Sequence, residues 1–283
     1  MRKIVFFMAA VMLLSCSKQL NEQVTDNSKP EDSTTVVFVF IPSPTMEPFS
    51  APTRTVTISD VSTRLDVWIS DGETTTAIHQ TSTDDHFGSF VLTLDKTKTY
   101  TLYAVGHKAD GQATLADGIV SWPDDKIKDI LWYTTTFSAV TTSQLPCQMS
   151  RIAAMFRIET TDAIPASAKK MRITQAGVYD RWNVSTGATH QIDRISTITI
   201  GSTNNDGTAA FSVYSIVSDE ETTHTVTIDA LDADDNVIQT KIFTDVPLRN
   251  GYKTTYRGAV FTDSDVSVSF TVPDWQSYDV VNF

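Results

Sequence analysis

The chain has 283 residues, with 34 acidic against 22 basic side chains and a formal net charge of −12. That balance argues against a nucleic-acid partner, because backbone phosphates are held by clustered Lys and Arg. Cys16 and Cys147 are its two cysteines, too few for a disulfide-stapled scaffold, so stability must come from buried cores, and the length suits two ordinary domains.

At the start, Arg2 and Lys3 precede an apolar run from Ile4 to Leu14. Such a run is too short to span a bilayer as a helix and reads as a secretory signal. It ends at Leu13-Leu14-Ser15-Cys16, which resembles a bacterial lipobox and implies cleavage before Cys16 with acyl chains on its thiol and new amine. Each buried methylene of such a chain contributes about 0.8 kcal/mol of membrane affinity. Residues 1–15 are therefore the expected signal peptide, and the polar stretch 16–33 a flexible lipid-proximal spacer.

The first expected structural element is TTVVFVFI, Thr34 to Ile41. Its residues Val36, Val37, Phe38, Val39, Phe40 and Ile41 form an unbroken β-branched and aromatic run, which predicts a strand buried on both faces. Pro42, Pro44, Pro48 and Pro52 follow closely and predict an exposed loop that carries Arg54. TRLDVWISDGE places Leu65, Val67 and Ile69 on one face of a strand and turns at Asp71-Gly72. SFVLTLDKTKTYTLYAVG alternates in the same way.

Further Asp-Gly pairs at 110–111, 117–118 and 206–207, with abundant Thr, make the chain mostly β. Asp124 to Tyr133 is the best helical stretch, with Ile127, Ile130 and Leu131 on one side and acids near its start. The pattern breaks at Pro146, and RIAAMFRIETT begins a fresh series of short strands ending in DVSVSFTVPDW. The expected architecture is all-β, with one β-sandwich domain over 34–145 and a second over 146–283.

His79, His86, His107, His190 and His224 have neither zinc-helix nor zinc-ribbon spacing and read as surface or loop residues. Asp232, Asp234 and Asn236 imitate half a calcium loop, but Val237 and Phe243 stand where glycine and glutamate are required, so a solvated turn is expected. No nucleophile elbow, dinucleotide loop or phosphate loop occurs, and no catalytic residue, metal or cofactor is assigned. Cys147 reads as a small buried apolar residue. Asn183-Val184-Ser185 has the form of a glycosylation acceptor and is taken as chance.

The lipobox at Cys16, APTR after the first strand, LDVWISDG, TYTLYAVGH, RIAAMFRI and VPLRNGYKTTYRGAVFT occur in an order that resembles the fimbrillin superfamily of type V pilus subunits and anchor lipoproteins. The resemblance implies two tandem transthyretin-like, Ig-like Greek-key sandwiches, a place at the outer membrane or in a surface fimbrium, and no enzyme. It also implies proteolytic maturation after an arginine in the early loop, matched here by Arg54. That cut would release the first strand, Val36 to Ile41, and leave a groove for a strand from another fimbrial subunit. Left uncut, the chain would stay fixed through the lipid on Cys16 as an anchor. The sequence leaves both forms open, with Arg64 a second candidate for cleavage. The alternative is a surface glycan-binding lipoprotein using Trp68, Trp122, Trp132, Trp182 or Trp275 as sugar platforms.

Overall fold

A computed structural model describes residues 32–43, 57–123, 127–218, 221–262 and 280–282. The signal stretch, Cys16, Arg54, Trp275 and the expected last strand over 265–275 lie outside the described residues.

The fold is nearly all β, as the alternating sequence predicts. Its first half contains β1 (Ser33–Pro42), a single helical turn α1 (Ile58–Val61), β2 (Arg64–Ser70), β3 (Thr75–Thr81), β4 (Ser89–Asp95) and β5 (Thr99–His107). A small hairpin, β6 (Thr114–Ala116) and β7 (Ile119–Ser121), precedes β8 (Leu131–Ser138) and β9 (Gln144–Arg151). The hydrogen-bonded order is β3-β2-β5-β8-β9-β1-β4. Because β8 and β9 pair only at Leu131↔Arg151 and Trp132↔Ser150, the path folds there into two facing layers. Val36, Phe38 and Phe40 meet Leu65, Val67, Ile69, Leu102 and Phe137 between them.

The second half contains β10 (Ala153–Thr160), β11 (Lys170–Asn183), β12 (Gly187–Thr199), β13 (Ala210–Ile216), β14 (Thr222–Leu231), β15 (Val237–Leu248), β16 (Lys253–Gly258) and β17 (Val280–Asn282). β15, β14, β11 and β12 form one layer, and β13, β10, β16 and β17 the other. The layers touch as one sheet only at Tyr179↔Ile216. Phe156, Ile158, Met171, Ile173, Ile228, Phe243 and Tyr256 fill the space between them. Asp162 fixes the chain leaving β16 by accepting from the backbone N–H groups of Val260, Phe261 and Thr262 at 2.9, 2.7 and 3.0 Å.

A third apolar cluster joins the two sandwiches. Trp68 and Val105 from the first meet Trp182 and Ile216 from the second, with Val120, Trp122, Ile127, Ile130 and Ile152 packed among them. The β6-β7 hairpin reaches across, and β7 pairs with the end of β11 at Val120↔Trp182 and Ile119↔Asn183. Below it, the buried Arg151 guanidinium grips Asp129 through two hydrogen bonds, of 2.5 and 2.9 Å.

The helix expected over 124–133 is absent where the structure describes it. Ile127 to Ile130 are non-helical and Leu131 opens β8. The reason is tertiary: Leu131 to Ser138 is rich in Thr and aromatics and pairs along its whole length with β5. Asp232 to Asn236 is the expected solvated turn, with Asp232 Oδ1 accepting from the N–H groups of Asp234 and Asn236, both at 2.9 Å.

Candidate assembly site around the first strand

β1 lies inside its sheet. On one side it runs antiparallel to β4, with Thr34↔Leu94 through Val39↔Ser89, and on the other parallel to β9, with Val37↔Gln144 through Pro42↔Met149. Period-two alternation sends Val36, Phe38 and Phe40 into the core, where they are 0, 0 and 2% exposed. Val37 and Val39 are half-buried on the opposite face and Ile41 is exposed, so burial on both faces, as the apolar run suggests, is only partial. Phe38 stacks on Phe90, ring centroids 5.0 Å apart, and meets the edge of Phe137 at 5.7 Å.

The ends of β1 are tied by main chain. Lys96 N–H donates to Asp32 O (2.8 Å), Phe40 N–H to Gly88 O (2.8 Å) and Ser43 N–H to Met149 O (2.8 Å). Gly88 has φ +86°, and a Cβ there would meet Ile58 Cγ2 at 2.5 Å, so only glycine lets this turn pass beneath α1. Ile58 and Val61 of α1 are buried and close that end of the core. Arg54 falls between the described Ser43 and Thr57. Arg64, the other candidate for cleavage, opens β2 and is held by Ala109 O (Nε, 3.2 Å) and Asp110 O (Nη2, 2.5 Å). A strand arginine bound in that way is a poor protease substrate.

Cys147, on β9 beside β1, is fully buried, and burial pushes its thiol up to about 12. It acts as an apolar residue, as the sequence suggests.

His86 is the exposed turn residue that was expected, whereas His79 and His107 lie in strands around a buried carboxylate. On the outer face of β2, Asp66 is 1% exposed and accepts from His79 Nδ1 (2.6 Å), His107 Nε2 (2.7 Å) and Ala113 N–H (2.7 Å). His107 is buried, and its Nδ1 accepts from Ala109 N–H (3.1 Å), which fixes Nε2 as the protonated nitrogen. Burial alone would raise the Asp66 carboxyl, but the bonds from His107, Ala113 and His79 outweigh it and hold it below the usual range. Sequence spacing misses this knot because its members are far apart. The Asp71-Gly72 turn does carry a signal, since its register puts His79 opposite Asp66. His79 Nδ1 and His107 Nε2 are spent on the carboxylate, and among the described residues no group of three or more His, Cys, Asp or Glu could hold a metal ion.

Trp68, Trp122 and Trp182 are 6, 6 and 5% exposed in the cluster between the sandwiches. Their rings are unavailable as sugar platforms, which removes the main support for glycan binding through Trp68 or Trp182. Among the described residues no helix is long and apolar enough to cross a membrane.

The described residues form two β-sandwiches joined by a hairpin, an architecture that does not by itself assign a function. Residues 114–279 match DUF6562, a family of unknown function, and the chain belongs to that family. No curated protein matches it. Similar solved structures include a "putative adhesin" from Bacteroides ovatus, at 11% identity and TM-score 0.47 over 74% of this chain and 76% of that one. The fimbrial anchor protein Mfa2 from Porphyromonas gingivalis is similar at 11% identity and TM-score 0.44, over 73% and 81%.

Proposed function

We propose that the chain is a fimbrial subunit or anchor lipoprotein at the bacterial cell surface, non-enzymatic and assembled by strand complementation. The observation that carries this reading is the place of β1: a first strand, bonded on both sides, that supplies three fully buried side chains. Cutting after Arg54 would release Cys16 through Arg54 in one piece. It would also free the edges of β4 and β9 and open an apolar groove over Phe90 and Phe137, suited to an incoming strand with residues like Phe38 at alternate positions. Uncut, β1 stays in place and the lipid on Cys16 holds the molecule to the outer membrane as a base. Its partners are thus other fimbrial subunits and the outer membrane, with no nucleic acid. We place the division between the two structural units at Ile152, between β9 and β10.

Limited digestion with an arginine-specific protease tests the reading. The expected result is loss of β1 and growth of oligomers that a synthetic peptide of residues 33–42 suppresses, with an Arg54→Gln variant remaining monomeric. Cleaved protein that loses β1 yet never oligomerises would refute strand complementation. Mass measurement of cell-derived protein would separately report the lipid and the new N-terminus at Cys16.

A further inference from the structure

The two sandwiches differ in how their sheet edges are protected. In the first, the edge strands β3 and β4 are laced by Gln80, whose Nε2 donates to Ser89 O (3.0 Å) and whose Oε1 accepts from Gly88 N–H (3.0 Å). In the second, the edge strand β15 is interrupted by two bulges of its own, at Ile238 and at Thr244-Asp245, and carries Lys241 and Pro247. Bulges, lysine and proline all discourage a further strand from pairing. β12 contains neither lysine nor proline, and the bulge in its ladder falls on the neighbouring strand, at Ala176-Gly177 of β11. Among the described residues this 13-residue strand pairs only with β11, so its far side has no strand partner. An edge of that length is a template for another strand.

The side chains of β12 fit a second copy of the same strand. Gln191, Asp193, Ile195, Thr197 and Thr199 are exposed, Ile195 at 63%, whereas Ile192, Arg194, Ser196 and Ile198 turn inward and are half-buried or buried. Two copies related by a two-fold axis perpendicular to the sheet pair antiparallel, and residues directly opposite then share a face. The axis passes through one residue, which meets its own counterpart. Centred on Asp193 or Arg194, it sets like charges directly opposite each other, which is destabilising. Centred on Ser196, it opposes charged Arg194 to apolar Ile198. Centred on Ile195, it leaves no such conflict. On the outer face Ile195 then meets Ile195, Asp193 meets Thr197 and Gln191 meets Thr199, while on the inner face Ile192 meets Ile198 and Arg194 meets Ser196. The row that crosses the sheet from Ile195 continues through Thr174, Thr227 and Ile242, so it brings no charge to the axis. The match uses main chain and isoleucines and makes no demand on the Arg194 guanidinium.

We propose that two copies of the chain pair through β12 as antiparallel edge strands, centred on Ile195 and reaching from Gln191 to Thr199. At about 3.4 Å per residue the seam is roughly 30 Å long. It joins the β15-β14-β11-β12 layers of the two copies into one sheet. It also brings Ile192 and Ile198, which line the groove between β12 and β13, against the same residues of the second copy. An edge-to-edge seam buries little surface, and each copy carries a net charge of −12, so the dimer is weak, with a Kd on the order of 100 μM. Uncut protein at the low concentrations of a protease digestion is therefore monomeric. The seam lies in the other sandwich from β1, and the proposal stands independently of strand release there.

The test is sedimentation equilibrium of the purified full chain from about 5 to about 500 μM. The expected result is a reversible monomer–dimer equilibrium that tightens several-fold between about 0.01 M and about 0.1 M salt, as screening weakens the repulsion. Because Ile195 is exposed, Ile195→Lys and Ile195→Glu should fold as the parent does, with thermal melting as the check. Each alone places like charges across the axis and should weaken the dimer about tenfold. An equimolar mixture of the two should associate more tightly than either alone, because opposite charges then meet across the axis. Hydrogen exchange of the parent should slow within 191–199 as its concentration is raised, and decides the matter should either variant fail to fold. A parent that stays monomeric at the top of the range, a dimer indifferent to both substitutions, a mixture no tighter than its components, or protection confined to β3, β4 or β15 would each overturn the proposal.

Discussion

Replacing Phe38 with alanine probes the centre of β1. The ring is fully buried, stacked on Phe90 and edge-on to Phe137. Returning a side chain of that size to water costs about 1.5–3 kcal/mol. Losing two ring contacts adds about 0.5–1.5 kcal/mol for each. These contributions overlap with one another and with the cavity left behind, so the expected loss is about 3–5 kcal/mol, the usual span for Phe→Ala in a core. Val37→Ala is the control: one residue away, half-buried on the other face, it removes two methyl groups and should cost about 1 kcal/mol. Urea unfolding followed by far-UV circular dichroism, extrapolated to water, measures both. If Phe38→Ala costs no more than Val37→Ala, β1 is not the core strand described above, and the groove its removal would open is too shallow to bind a replacement.

Other expectations follow from buried polar groups. The Asp66 carboxyl is depressed below 3.8 in the folded state, so its stabilisation is full above the unfolded value and is lost as pH falls through the lower folded one. Stability measured by urea titration should therefore fall more steeply below about pH 4 in the parent than in Asp66→Asn, which lacks the titrating group. Cys147, buried and with its thiol raised to about 12, should resist alkylation at pH 8 until the protein unfolds. Iodoacetamide labelling read by mass spectrometry checks this, and rapid labelling of folded protein would refute it. Asp129→Asn should cost about 3–5 kcal/mol by leaving the Arg151 guanidinium buried without its counter-charge. In thermal melts the double variant Asp129→Leu, Arg151→Met should lose less than that single variant.

What was legible in the sequence was what two-residue periodicity encodes. Thr34 to Ile41 could be read as a strand because β-branched and aromatic residues run without a break, and its inner face follows from Val36, Phe38 and Phe40 alone. Its position between β4 and β9 could not, because pairing with Gln144 to Met149 depends on contacts more than a hundred residues apart in the chain. The same limit explains the misread helix: Ile127, Ile130 and Leu131 have helical spacing, yet Ile127 and Ile130 pack between the sandwiches while Leu131 enters the first core. Trp68, Trp122 and Trp182 were ambiguous for a related reason, since an amphipathic ring has the same sequence signature at a buried junction as on a sugar-binding face.

The DUF6562 match begins at Thr114, the first residue of β6, and so omits the first five strands. A fragment with those limits would contain β8 and β9 but lack β5 and β1, their partners. Phe137, Cys147 and Met149, all buried in the first core, would face water, and the edges of β8 and β9 would be unpaired. A fragment from Ile152 onward keeps every residue of the second core and loses the cover that Trp68, Val105, the hairpin, Ile127 and Ile130 give Trp182 and Ile216. Expressed separately, residues 114–283 should therefore aggregate, while 152–283 should be soluble and fold cooperatively at reduced stability. Gel filtration and thermal melts of the two fragments decide the matter. A soluble, cooperatively melting 114–283 would mean that the matched segment folds without the first five strands, and that the first sandwich is an addition to it rather than a partner in its core.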